Sequence, residues 1–467
     1  MKQSLLFCSF FLTIICINAQ NFDVETIKFE GDNTNRINLV FMSDGYTSGE
    51  LNQFITDATA FTTEMFSQSP FLEYADYFNV YAIKVPSNES GADHPGTSTE
   101  PLESTIAPPV AISNVDTYFN TSFDTANIHR LLYTYQSSTV YNVLANNFPE
   151  YDQPIILVNS SVYGGAGGPY ATSSTGTDAD EIVIHELGHS LFDLKDEYYP
   201  GDALAAEAIN MTQETNTGLI KWKNWLGTNG VGIYPYAASG NAANWNRPHQ
   251  TCKMRYLGYP FCDVCREGIV EKIHSLISPI DMYTPNNNTV DDPTFPLDFQ
   301  LSLVKPNPNT LESDWTLNAT NFATNVDGIS ILETDLVEGA NTLTTVIHDN
   351  SSFLRVDNHE SIHVSTVTWT INYSSLGVDD ILSEQHNYTI SLYPNPTSNI
   401  LNLEFESNSV SNLKVEIMSI DGKKVKSDKL SNYESKQVDI SNLSQGIYIA
   451  NFYSGNLLIA SKRIVKN

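Results

Sequence analysis

The spacing of apolar and polar positions changes several times along the chain, and each change predicts a different kind of element. Ile37 to Met42 is a short apolar run suited to a buried strand. From Tyr46 to Phe66 the apolar residues Leu51, Phe54, Ile55, Ala58 and Phe61 recur at helical spacing. Phe78 to Val85 alternates as a strand does, and Ile155 to Asn159 is a second buried run. Ile182, Ile184, Leu187, Leu191 and Phe192 supply the apolar faces of a further helix, with Asp178 placed to cap it and Glu181 three residues on, as in a capping box. Strands alternating with helices predict a layered α/β body.

Beyond Ser278 the composition shifts. Pro279, Pro285, Asn286, Asn287, Asn288, Pro293 and Pro296 crowd into residues 279–297, which reads as a linker. Short alternating stretches follow, among them Trp315 to Leu317, Gly328 to Leu332 and Val364 to Tyr373, separated by polar turns. They predict a small all-β sandwich over residues 298–376. A last unit, residues 391–467, holds the apolar run Leu413 to Met418, an Asp421-Gly422 turn and the strand pattern Gly446 to Phe452.

Charge and leader sequence narrow the setting. Residues 1–19 read as a secretory signal: Lys2, an apolar stretch from Leu5 to Ile17, and a cleavage site after Ala19. No later stretch approaches the roughly 20 apolar residues of a membrane span, so no transmembrane segment is expected. A net charge of −30 argues against nucleic acid and anionic membranes as partners. The final unit stands apart, with nine basic and seven acidic residues. Once Cys8 and Cys16 leave with the signal, Cys252, Cys262 and Cys265 remain. In an exported protein these predict one local disulfide, from Cys252 to Cys262 or Cys265, plus an odd thiol. A zinc knuckle would need a fourth ligand, and His249 is the one nearby in sequence.

The strongest chemical pattern is His185-Glu186-Leu187-Gly188-His189. Two histidines four apart lie one turn apart on one helix face, about 6 Å along the axis. Both imidazoles can then reach a single Zn²⁺, and Glu186 beside the first can act as general base on an activated water. The run Ile155 to Asn159 and the glycine-rich Tyr163 to Tyr170 suit an edge strand and loop above such a site, where a substrate backbone could add as a strand. A third ligand is required. Asp193 lies a further turn up a continuous helix, too far from His185, so a break near Leu194 would have to return Asp196, or next Glu197, to the metal. A glutamate from a later element, Glu207 or Glu214, is the remaining option. Tyr170, Tyr198, Tyr199, Tyr256 and His249 are further candidates for stabilising an oxyanion.

Two resemblances add to this reading. Ser391 to Pro396 with its Tyr-Pro-Asn-Pro core, the Asp421-Gly422 turn, Gly446-Ile447-Tyr448 and the basic end at Lys462, Arg463 and Lys466 resemble the C-terminal sorting domain of type IX secretion cargo. That implies export through the periplasm to the surface or medium, with the secretion machinery as a partner. Asn38 to Thr47, Pro70-Phe71, Tyr77 to Tyr81, Ser87 to Asp93, the His-Glu-x-Gly-His centre, Leu194 to Tyr198, Cys252 to Arg255 and Phe261 to Cys265 together resemble the IgA peptidase-like zinc metallopeptidases. This resemblance implies a single catalytic zinc held by His185, His189 and an acidic residue of the Asp196-Glu197 pair, with Glu186 as base. It also suggests that Met254 lies under the site as a methionine turn does, although a simple buried methionine fits equally.

The expected architecture is therefore multidomain: an α/β (α+β) zincin-like catalytic domain over residues 20–278, then the all-β sandwich, then a small β-sandwich sorting domain. The expected function is hydrolysis of protein or peptide substrates by a secreted monomer. The competing reading is a surface protein that binds protein or glycan beside a vestigial zinc site, which an intact Glu186 disfavours.

Overall fold

A computed structural model describes residues 21–99, 110–199, 201, 204–374, 390–405, 413–430, 437–455 and 457–467. The signal assigned to residues 1–19 lies outside the described residues. The chain forms two compact units. One takes Met1–Asn287, Asp298–Ser330 and Leu343–Thr368; the other takes Asn288–Leu297, Ile331–Thr342 and Trp369–Asn467.

The first unit is built on a six-stranded sheet. Its strands are β1 (Val24–Lys28), β2 (Ile37–Asp44), β3 (Phe78–Ile83), β4 (Gln153–Val158), β5 (Gly165–Ala166) and β6 (Ala171–Ser174), in spatial order β1-β3-β2-β4-β6-β5. The four central strands run parallel, with Ile37 opposite Phe78 and Ile155 opposite Ala171, while β1 and β5 are antiparallel edges. Helices cover both faces: α1 (Leu51–Met65), α3 (Ala179–Ser190) and α4 (Asp263–Leu276) on one, α2 (Ser137–Asn147) on the other. Alternate residues serve opposite layers. Leu39, Phe41, Ile155 and Leu157 pack with Phe54, Phe61, Val183 and Leu187, whereas Val40, Met42, Ile156 and Val158 pack with Val140 and Leu144. Burial on both sides explains why these strands read as continuous apolar runs.

The strand expected over Phe78 to Val85 is β3, and every residue of it is buried. Asn79, its polar position, turns inward and donates its amide to Gly31 O, Asn33 Oδ1 and Asn38 Oδ1. One expectation needs correction, the edge above the helix. Ile155 to Asn159 forms the interior strand β4, and the glycine-rich stretch itself supplies the edge, β5.

Glycine is obligatory at one turn of this body. Gly45 has φ of +69°, and a Cβ there would lie 1.8 Å from the Gly91 carbonyl oxygen. Beside it, buried Asp44 accepts from Phe119 N, Thr121 N and the hydroxyls of Thr117 and Thr121. The Ser-Asp-Gly-Tyr-Thr segment thus anchors the long connection that follows β3.

The first unit continues in β-structure. Ile280–Thr284 pairs antiparallel with Leu297–Leu303, and Leu311–Leu317 pairs with Thr320–Thr324 and with residues 343–349. Two strands, Ile280–Thr284 and Thr289–Asp291, lie within the proline- and asparagine-rich stretch. In the second unit, Leu413–Ser419, Lys424–Leu430, Gly446–Ser454 and Leu457–Lys466 form a four-stranded antiparallel sheet. Ile390–Tyr393, Ile400–Phe405 and Gln437–Asp439 form a three-stranded one. Val415, Ile417, Phe452 and Ile464 lie in their shared core. The chain is therefore a mixed α/β region followed by mostly β sheets. No helix among the described residues is long and apolar enough to cross a membrane.

A buried polar node fastens residues 343–368 to the α/β body. Asp349 Oδ2 accepts from Tyr74 OH and from His274 Nε2 at 2.8 Å, and Oδ1 accepts from Thr310 at 2.5 Å. Burial pushes the Asp349 carboxyl up, but His274 and the hydroxyls outweigh it and hold the group below the usual carboxylate range. A lowered carboxylate contributes stability above its unfolded value of about 3.9 and loses it as pH falls through the folded value. Asp349→Ala is expected to lower the stability of this unit by about 3–5 kcal/mol, because His274 and two hydroxyls stay buried without their acceptor. It should also flatten the acid limb of the stability curve. Denaturant unfolding repeated across pH 3–7 checks both expectations.

Candidate metal centre

The site is assembled on α3. Its first turn is not capped as the sequence suggested: Asp178 sits at φ +64° and its side chain makes no capping bond. Glu181 accepts instead from Lys253 Nζ, from Gly258 N at 2.7 Å and from Gln68 Nε2 at 2.8 Å. Lys253 is only 1% exposed, so this carboxylate compensates a buried charge. The pair also pins residues 253–258 against the helix.

His185 and His189 stack one turn apart, with ring centroids 4.8 Å apart and planes at 87°. Each ring is oriented through its far nitrogen: His185 Nδ1 donates to Lys253 O at 3.0 Å and His189 Nδ1 to Leu194 O at 2.8 Å. A carbonyl can only accept, so both Nδ1 atoms carry hydrogen, and each Nε2 is the nitrogen turned toward Asp196 that could ligate a metal in place of a proton. Those two Nε2 atoms lie 3.1 and 3.2 Å from the same oxygen, Asp196 Oδ1.

Asp196 reaches that point because the helix stops early. A break was expected near Leu194, but α3 ends at Ser190 and the reversal starts at Leu191. Phe192 N donates to Leu187 O and Leu194 N to Gly188 O at 2.8 Å. Asp193 takes the left-handed conformation at φ +57°, which aspartate tolerates better than most residues. Its side chain points out to Lys272 Nζ at 3.0 Å, away from the histidines. Asn210, fully buried, then clamps the returning segment: Lys195 N donates to its Oδ1 and its Nδ2 donates to Lys195 O.

Met254 lies directly beneath. It is fully buried, its carbonyl accepts from Glu197 N at 2.7 Å, and a Cβ on Gly188 would sit 2.7 Å from its sulfur. The glycine of the motif is thus the gap through which Met254 packs against the helix that carries the two histidines.

Three donor atoms of His185, His189 and Asp196 lie within 4.8 Å of one another and suit one metal ion. The electrostatics agree. Burial alone would lower His189, yet Asp196 and Glu186 raise it to about 9; burial would raise Asp196, yet the two imidazoles pull it down to about 2. A pocket that holds positive charge so firmly suits a divalent cation, with two aligned imidazole nitrogens and a carboxylate as its donor set.

Glu186 follows His185 and faces the same cleft of about 520 Å³, lined also by Arg130, Tyr163, Tyr198 and Tyr256. Burial pushes its carboxyl up, against the pull of the two histidines. Gly167 makes room for it, since a Cβ there would fall 2.5 Å from Glu186 Oε2. Tyr198 lies with its ring centroid 6.4 Å from that of His185, and burial pushes its hydroxyl up to about 12, so it stays protonated at neutral pH.

Other candidates go elsewhere. Glu207 pairs with Lys221 at 2.7 Å, and Glu214 accepts from the backbone of Thr215 and Asn216. Tyr170 is buried with its hydroxyl donating to Thr134 O, and Tyr199 is exposed. His249 bonds to Asn229 O and Thr251. Glu197 turns away from the histidines into a nest of Cys252, Cys262 and Cys265. The expected disulfide is absent there: all three cysteines are free, and Cys252 Sγ lies 3.6 Å from Cys265 Sγ. A fourth buried group, the Glu197 carboxylate, sits among the sulfurs. Gly167 lies in the glycine-rich stretch expected above the site, whereas Arg130 had no signal in the sequence, because it belongs to no motif and only the folded loops bring it to the cleft.

Residues 26–233 match the family described as IgA Peptidase M64, and residues 391–467 match the one described as Secretion system C-terminal sorting domain. No curated protein matches the chain. Solved structures that align with it include dimeric latent PorU from Porphyromonas gingivalis, at 18% identity and a TM-score of 0.15 over 33% of this chain and 14% of that one. Fibronectin(III)-like modules of Clostridium thermocellum CbhA align at 12% identity and a TM-score of 0.14, over 40% of this chain and 94% of that one. At such scores neither bears on the site.

The packing of Met254 against Gly188 yields a direct test. Gly188→Ala adds about 1 kcal/mol of helix propensity. The methyl group has no room, and overpacking a closed core costs about 1–3 kcal/mol. A net loss of about 1 kcal/mol in urea unfolding is expected; a net gain would show that Met254 is free to move.

Proposed function

The chain carries an IgA peptidase M64 domain over residues 26–233 and a secretion-system C-terminal sorting domain over residues 391–467, and from that premise we propose a secreted zinc endopeptidase acting through Glu186. The first domain makes it a metallopeptidase, and the second directs it by type IX secretion to the medium or the cell surface. The reading goes further than either. His185, His189 and Asp196 are the zinc ligands, Glu186 is the general acid–base, and protein or peptide chains are the substrates of a monomeric enzyme. The proposed division is a zincin-like catalytic domain over residues 20–278, a linker over 279–297, a β-sandwich over 298–376 and the sorting domain over 391–467.

One observation carries the reading: two imidazole nitrogens, each oriented by a backbone carbonyl, converge on one carboxylate oxygen at 3.1 and 3.2 Å beside a buried glutamate. A zinc ion bound there supplies Lewis-acid chemistry, polarising an oxygen and acidifying water. The remaining work falls to side chains. Glu186, whose carboxyl burial pushes up, is suited both to take a proton from the attacking water and to return it to the leaving amine. Tyr198 and Arg130 line the cleft as hydrogen-bond donors for the negative charge that develops on the carbonyl oxygen. The Gly165 N–H of β5 is already taken by Arg130 O, so the backbone beyond β5, from Gly167 on and beside Glu186, is where an extended peptide would be held along the cleft.

Two results are expected. Asp196→Ala should lose metal far more readily than Asp193→Ala, as read by metal content after dialysis against a weak chelator. The reverse order would remove Asp196 from the ligand set. Glu186→Gln should keep the metal and the fold but lose about 10²–10⁴-fold or more in peptide cleavage. Cleavage at near wild-type rate by a metal-replete Glu186→Gln enzyme would assign the base elsewhere.

A further inference from the structure

Glu197, Cys252, Cys262 and Cys265 form a second cluster, on the far side of the segment that carries Asp196. All four are buried, and their ligand atoms lie within 4.8 Å of one another. Cys265 Sγ is 3.2 Å and Cys262 Sγ 3.9 Å from Glu197 Oε1, while the two sulfurs of Cys252 and Cys265 are 3.6 Å apart. A disulfide needs about 2.03–2.05 Å, so these sulfurs are not bonded. They stand instead near the roughly 3.8 Å edge of a tetrahedron whose centre is about 2.3 Å from each sulfur.

Glu197 points the same way. It is 0% exposed, and while Oε1 also accepts from Asn210 Nδ2, Oε2 has no hydrogen-bond partner. A carboxylate removed from water with one oxygen unsatisfied is costly unless a cation or proton meets it. No lysine or arginine pairs with it among the hydrogen bonds of the described residues; its neighbours are thiols. The sequence favours the same grouping: Cys262 and Cys265 are spaced as Cys-x-x-Cys across the first turn of α4, where Cys262 occupies the N-cap. The partial positive charge of a helix start favours thiolates over thiols.

We propose that these four residues bind a structural zinc ion, distinct from the catalytic one. Three sulfurs and one carboxylate oxygen complete a closed tetrahedral shell, with no position left for water or substrate, as structural sites require. Thiolate-rich donor sets select zinc over calcium, magnesium or manganese. Binding releases the thiol protons, and the Cys262 N–H to Cys252 Sγ bond and the Asn210 amide disperse the remaining negative charge. The ion would weld Glu197 to the 252–265 segment. That segment holds His185 through the Lys253 carbonyl, and Glu197 follows Asp196 directly, so the second ion braces two of the three catalytic ligands. It would also keep the thiols from oxidising during export.

The test uses the mature full-length protein purified without reductant. Native mass spectrometry with thiol counting should find two zinc ions per chain and three cysteines that react only after denaturation in chelator. His189→Ala should fall from two ions to one, and the retained ion, exchanged for cobalt(II), should give thiolate-to-cobalt charge-transfer absorption. Cys262→Ser/Cys265→Ser should lose that absorption or fail to fold. A disulfide within the cluster, three readily reactive thiols in the native zinc-loaded protein, or a retained cobalt without sulfur absorption would each overturn the proposal. Loss of all metal from His189→Ala would overturn it too. A wild-type chain whose one ion shows sulfur ligation would instead sink the catalytic site and keep this one.

Discussion

A helix can present two imidazoles on one face, but it cannot offer a third donor to the same point, because successive turns move away along its axis. Everything distinctive about this site depends on how the chain reverses after Ser190. The helix closes with Phe192 and Leu194 donating back to Leu187 and Gly188, Asp193 absorbs the left-handed step, and Asp196 comes back over both histidines. The carbonyl of Leu194, freed by the same reversal, orients His189. Ligand and orienting group therefore come from one turn.

That turn is held from outside by groups beyond the histidines and Asp196. Asn210 binds Lys195 through both backbone atoms, Met254 accepts from Glu197 and fills the gap at Gly188, and Lys253 is locked to Glu181 while its carbonyl orients His185. Consecutive residues Asp196 and Glu197 face opposite ways, one to the histidines and one to the cysteines. The candidate metal donors and the cysteine nest thus share a single short stretch of backbone. Disturbance of either side is transmitted through one peptide unit, which makes the support around Glu197 part of how the site keeps its geometry.

Much of this was legible in the residues. Helical spacing marked α1, apolar runs marked β2 and β4, and the four-residue histidine spacing pointed to a returning acid, Asp196 or next Glu197, of which Asp196 lies at the histidines. What misled was local pattern where tertiary context won. Asp178 and Glu181 looked like a capping box, but the buried Lys253 claims Glu181. The three cysteines suggested a disulfide because export favours one, and the fourth member of their cluster, Glu197, lies some fifty-five residues away in sequence, where spacing carries no information. Arg130 reaches the cleft through a loop whose course depends on anchors such as Asp44, which no periodicity reveals.

The central claim is that the reversal after α3 builds a zinc site from His185, His189 and Asp196. Anomalous diffraction at the zinc edge from crystals of the mature protein tests it most directly. The expected result is a peak about 2.0–2.2 Å from His185 Nε2, His189 Nε2 and a carboxylate oxygen of Asp196, with Glu186 beside it and outside the ligand shell. A peak ligated by Glu197, Glu207 or Glu214 in place of Asp196, or no peak between the two histidines, would contradict it.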